Sequence, residues 1–138
     1  MSLTKTLTAD HRELDALRCE FLVTLRARDI ARFNAVRWRI CRVLLAHLAQ
    51  EDRSLYAALI RKGGPGGALA REFQAEMGDI GERFRAFMTG WPASRIEQNW
   101  EGFTVEAEDL MVRLSRRMTA EETRLYPFAE EPPTALAG

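Results

Sequence analysis

The chain has 138 residues, 46% hydrophobic and 29% charged, a balance that suits one globular domain with a single core and excludes a disordered chain. Its twenty basic and twenty acidic residues cancel, so no net field would draw it to nucleic acid or to an anionic membrane, and neither is expected as a partner. No stretch approaches the roughly 18 apolar residues of a membrane span.

The N-terminal MSLTKTLTADHREL lacks the apolar run of a secretory signal, so a cytoplasmic protein is expected. A first helix is predicted over about Thr8 to Arg28, with Leu7, His11, Leu14, Arg18, Phe21 and Leu25 on one face. Asp29 is a candidate N-cap. The second helix is predicted from Ile30 to Arg61, its stripe running Phe33, Val36, Ile40, Leu44, His47, Glu51, Leu55, Leu59. Gly63-Gly64-Pro65-Gly66-Gly67 then cuts the chain nearly in half, as a run that cannot continue a helix.

The third helix is expected over about Ala68 to Met88, with Leu69, Phe73, Met77, Ile80, Phe84 and Phe87 inward. After Gly90-Trp91-Pro92, the capping-box pattern Ser94-Arg95-Ile96-Glu97 is expected to open the fourth. That helix continues through Phe103, Ala107, Leu110, Leu114, Arg117, Glu121 and Phe128, with Pro132-Pro133 closing a tail over 129–138. Four amphipathic helices on short connections form an all-α, antiparallel up-down-up-down four-helix bundle, taken here as a single domain over residues 1–138. The halves echo each other. His47-Leu-Ala-Gln-Glu51 and the following Leu55-Tyr56 align with Arg117-Met-Thr-Ala-Glu121 and Leu125-Tyr126. Asp10-His11-Arg-Glu-Leu14 aligns with Glu76-Met77-Gly-Asp-Ile80, so each half is one helical hairpin related by a pseudo-two-fold axis.

Five residues on the apolar stripes are out of place in an oily core: His11, His47, Glu51, Arg117 and Glu121. Burying such groups costs several kcal/mol or more unless they are paired or bound to a metal. His47 and Glu51, four residues apart, project side by side, and an imidazole with a carboxylate suits iron, zinc or manganese. The HxxxE spacing is weak alone. The chain has only two histidines, however, and both lie on inward stripes.

At ADHRELDAL, AHLAQEDRSLY and ETRLYPFAE the chain resembles the hemerythrin-like, or HHE, cation-binding family over nearly its whole length. The resemblance implies two irons inside the bundle, with O₂ binding, nitric oxide or redox response, or iron handling as activity. It implies ligands at His11, His47, Glu51 and Glu121, a histidine at position 77 and another at position 117. The chain has Met77 and Arg117 instead. A thioether is a poor ligand for iron, and a guanidinium keeps its proton and cannot be one.

The reading placed first is a degraded di-iron site in a non-enzymatic regulatory or binding module without a cofactor. In it Arg117 replaces the missing cation, holding Glu121 and Glu51 in a buried ion pair. The second is a mononuclear site of His11, His47, Glu51 and Glu121 for one iron or zinc ion, serving O₂, NO or redox response or iron handling. A small gas ligand is expected only if iron is bound; a protein partner or a homodimer remains open. Tyr56 and Tyr126, related by the repeat, read either as caps on the site through their hydroxyls or equally well as ordinary packing. No nucleophile triad, phosphate loop, reactive cysteine motif or pair of ExxH motifs supports a conventional or ferritin-like enzyme, and Cys19 and Cys41 read as reduced thiols.

Overall fold

The computed structural model describes residues 2–130, which contain no strand; Pro132-Pro133 and the rest of the expected tail lie outside them. Helix α1 (Leu3–Arg26) starts five residues earlier than about Thr8, because Ser2 caps it by accepting from the Lys5 amide. Arg28 turns the chain with a left-handed φ of 55°, and Asp29 caps α2 (Ile30–Glu51) through the Arg32 amide, as expected. Without leaving the rod, α2 passes into a π-helical turn, Asp52–Tyr56, and then α3 (Ala57–Lys62).

The glycine run breaks the chain for less than its length. Gly63 and Gly64 take φ of 77° and 68°, Pro65 stands in the first turn of α4 (Gly64–Met77), and the remaining glycines are already helical. Gly67 is required by crowding, since a Cβ there would sit 2.7 Å from the Leu59 carbonyl oxygen. The expected third helix is two: α4 ends at Gly78-Asp79, and α5 (Ile80–Gly90) resumes beyond. A weak helix former at Gly78 permits the break. Gly81 lets α5 approach α2, where a Cβ would meet Leu48 at 3.3 Å.

The capping-box expectation is corrected. Ser94–Glu97 lies in a single short helix, α6 (Ala93–Gln98), and the long helix α7 (Trp100–Ala120) begins only after Asn99, whose side chain accepts from the Gly102 amide. Ile96, 1% exposed, anchors α6 into the core, and Asn99 turns the backbone out of helical geometry. A second π-turn, Glu121–Leu125, and α8 (Tyr126–Ala129) complete the rod.

Helix α1 packs on α2 and α7, and α5 packs on the same two helices, closing the up-down-up-down ring. The apolar interior is divided. A larger cluster runs from Leu14 and Leu44 through Phe84, Phe87 and Phe103 to Leu114; a smaller one joins Leu7, Leu55, Leu59, Phe73 and Leu125. On α1, Leu17 rather than Arg18 fills the stripe, and Arg18 pairs with Asp15. Trp91 is buried, Trp38 is exposed and Cys41 alone of the two thiols is buried. No described helix is long and apolar enough to cross a membrane.

Candidate metal centre

A polar layer separates the two apolar clusters. On α1, His11 lies between Leu7 and Leu14; on the second rod, His47 and Glu51 lie between Leu44 and Leu55; on the fourth, Arg117 and Glu121 lie between Leu114 and Leu125. All five are buried, Glu51 completely and Arg117 to within 5%.

The π-turns decide how the layer is closed. Each glutamate is followed five residues later by a tyrosine, and in an α-helix five residues leave the second side chain about 140° around the axis from the first. In a π-turn the repeat is i to i+5, and the backbone bonds from Ala57 to Asp52 and from Tyr126 to Glu121 have that spacing. Both tyrosines therefore face inward, and they cross between the halves. Tyr56 donates to Glu121 Oε2 and Tyr126 to Glu51 Oε2, each at 2.7 Å.

Arg117 has the contacts of a small cation. It donates from Nη2 to Glu51 Oε1 at 3.0 Å, from Nε to Glu121 Oε2 at 3.1 Å, and from Nη1 to the Met77 carbonyl at 3.0 Å. The other oxygen of each carboxylate turns toward the histidines. His47 Nε2 is 3.2 Å from Glu51 Oε2, and His11 Nε2 is 3.3 Å from Glu121 Oε1 and 3.8 Å from Glu51 Oε2. The two Nε2 atoms stand 3.1 Å apart. Behind the rings, His47 Nδ1 contacts Asp10 and His11 Nδ1 contacts Glu122, both at 3.0 Å.

Burial and pairing set the charges. Burial favours protonated Glu51, but hydrogen bonds from His47 and Glu121 and the Arg117 charge outweigh it and hold that carboxyl well below the usual range. For Glu121 burial prevails, and with Glu51 beside it the carboxyl is pushed up to about 7, against the pull of His11 and Arg117. Burial opposes a charge on His47, yet hydrogen bonds to Glu51 and Asp10 raise its pKa. Burial and the neighbouring carboxylates push both tyrosines up, so they remain donors. Arg117 is held charged by Glu121, Tyr56 and Glu51 despite burial.

The structure thus brings together every expected site residue: His11, His47, Glu51 and Glu121 place four donor atoms within 4.8 Å of one another, a group that could hold a metal ion. Arg117 does not escape to solvent. The side chain of Met77 is half-buried against the smaller apolar cluster, and only its carbonyl touches the centre. Three participants went unrecognised in the sequence: Asp10, Glu122 and that backbone carbonyl. Asp10 and Glu122 each sit beside an inward-facing residue in the chain, a faint signal; the carbonyl leaves none.

The family model for the hemerythrin HHE cation-binding domain matches residues 2–129. Comparison with curated proteins and with solved structures gives no significant match.

Proposed function

The chain belongs to the hemerythrin HHE cation-binding family, and from that premise we propose that its centre is a di-iron site reduced to one metal position. In this reading the Arg117 guanidinium serves as the second cation. The carrying observation is the division of the carboxylates: Glu51 and Glu121 each give one oxygen to Arg117 and turn the other toward the paired imidazoles. A pair of irons does not fit, because the guanidinium fills the second position and Met77 offers no donor of the right kind. One metal does have its donors. Tetrahedral coordination at about 2.0–2.1 Å sets donor-to-donor edges of roughly 3.3 Å; four of the six edges here are 3.1, 3.2, 3.3 and 3.8 Å, and all four atoms lie within 4.8 Å of one another.

His11 and His47 would supply nitrogen, Glu51 Oε2 and Glu121 Oε1 would supply oxygen, and iron(II) or zinc matches that donor set. A bound metal would contribute Lewis acidity and, if iron, a redox centre. The chain's own residues hold the carboxylates, keep two phenols as donors and exclude bulk water. This suits a regulatory or binding module better than an enzyme, since among the described residues no further acid, base or nucleophile faces the layer.

A second reading is supported by the closed network: every oxygen of Glu51 and Glu121 already has a polar neighbour within 3.3 Å. The centre would then be a metal-free ion-pair scaffold. Elemental analysis after incubation with iron(II) or zinc and desalting separates the two. About one metal per chain, lost in His47→Ala, is expected; a ratio near zero in folded protein sinks the one-metal reading and leaves the scaffold.

A further inference from the structure

The backs of the two imidazoles carry a further assignment. His47 Nδ1 lies 3.0 Å from Asp10, and His11 Nδ1 lies 3.0 Å from Glu122. A carboxylate only accepts, so each ring donates from Nδ1, which in the neutral ring leaves Nε2 as a lone pair facing inward; only a second proton, making the imidazolium, lets His47 donate from Nε2 to Glu51 as well. Left in that state alone, two lone pairs 3.1 Å apart repel; a proton or a metal ion between them removes the conflict. We infer that Asp10 and Glu122 are positioning residues of the centre, which fix both imidazoles in the tautomer that presents Nε2 to a cation.

Their placement supports this. Asp10 is the chain neighbour of His11 yet serves His47, and Glu122 is the neighbour of Glu121 yet serves His11. The fourth rod therefore orients α1, and α1 orients α2. Each carboxylate stands at a groove mouth, one of about 320 Å³ beside Asp10, Arg42 and His47, the other of about 200 Å³ beside Arg12, His11 and Glu122. Asp10 is 30% exposed and Glu122 35%, while both rings are only 3% exposed. The repeat supplies a control. Glu76 and Asp52 occupy the corresponding positions in the half that has Met77 and Arg117 in place of histidine, and both are exposed. Outer carboxylates are thus drawn in only where there is an imidazole to hold.

The consequence for metal rests on the one-metal reading; the tautomers do not. With only two histidines, ¹⁵N two-bond correlation spectra of the metal-free protein resolve each ring. Both are expected to carry a proton on Nδ1. Asp10→Ala should move His47, and Glu122→Ala should move His11, off that form, each weakening zinc(II) binding about 10–100-fold. Asp10→Asn and Glu122→Gln, whose amide oxygens still accept from Nδ1, should keep the tautomer and recover most of the affinity. A wild-type ring protonated on Nε2 alone, or alanine variants with unchanged rings and zinc affinity, overturns the inference. If wild-type protein takes up no zinc, the metal reading fails by itself and the ring spectra still decide the tautomers.

Discussion

The two hairpins meet at the centre with the same backbone and different chemistry. Each second helix brings a glutamate, a π-turn and an inward tyrosine, at Glu51 and Tyr56 in one half and at Glu121 and Tyr126 in the other. The first half adds His11 and His47; the second has Met77 and Arg117 at the matching places. The contrast supports the proposed reading, in which one cation position has lost its donors and the Arg117 guanidinium stands between the two glutamates instead. The two differences also touch, since Arg117 donates to the Met77 carbonyl.

The sharpest way to test the comparison is to erase it. Met77→His together with Arg117→His is expected to raise metal uptake from one ion per chain to two by elemental analysis; a ratio unchanged at one would show that the halves differ in more than these side chains. Arg117→Ala alone leaves Glu51 and Glu121 facing each other without a counter-charge. It should destabilise the metal-free protein by about 3–5 kcal/mol in denaturant unfolding. A loss below about 0.5 kcal/mol, typical of surface sites, would contradict the ion pair.

The crossed tyrosines refine the contrast. Tyr126 donates to Glu51, held ionised, so Tyr126→Phe should cost about 1.5–3 kcal/mol. Tyr56 donates to Glu121, whose carboxyl is pushed up to about 7. At pH 6 Glu121 is mostly neutral, and Tyr56→Phe should cost only about 0.5–1.5 kcal/mol. As pH rises through 7 Glu121 ionises, its bond to Tyr56 strengthens and the two costs should converge; equal costs at pH 6 would remove the asymmetry. Smallest is the capping pair. Asn99→Ala should cost about 1 kcal/mol, and Ser94→Ala less than about 0.5 kcal/mol, with the reverse ranking favouring a helix that starts at Ser94.

Periodicity exposed the bundle because each long helix keeps one face apolar over many turns, and the same stripes exposed His11, His47, Glu51, Arg117 and Glu121 by their polarity. What stayed hidden was local or indirect. The Gly78-Asp79 break and the late start of α7 at Trp100 turn on single residues, Gly78 and Asn99, which the spacing of apolar residues does not record. Asp10 and Glu122 look like any exposed carboxylate until the fold puts a ring nitrogen 3.0 Å away. The π-turns have no compositional mark at all, and only the repeated interval from glutamate to tyrosine hinted at them.

That interval decides where the rods can absorb a change in chain length. A π-turn accommodates one residue more than the α-helix needs, so removing a single residue between Glu51 and Tyr56 would restore regular helix while leaving the rod unbroken. The tyrosine would then follow Glu51 by four residues, about 40° around a regular α-helix, so the side chains beyond would keep their face. Leu59 would keep its side of the rod toward Phe73 and the small core, and Tyr56 would still face inward. A residue can thus be lost from this turn without turning the apolar face away, whereas a deletion in the α-helical stretches would turn it by about 100°; the same holds independently between Glu121 and Tyr126.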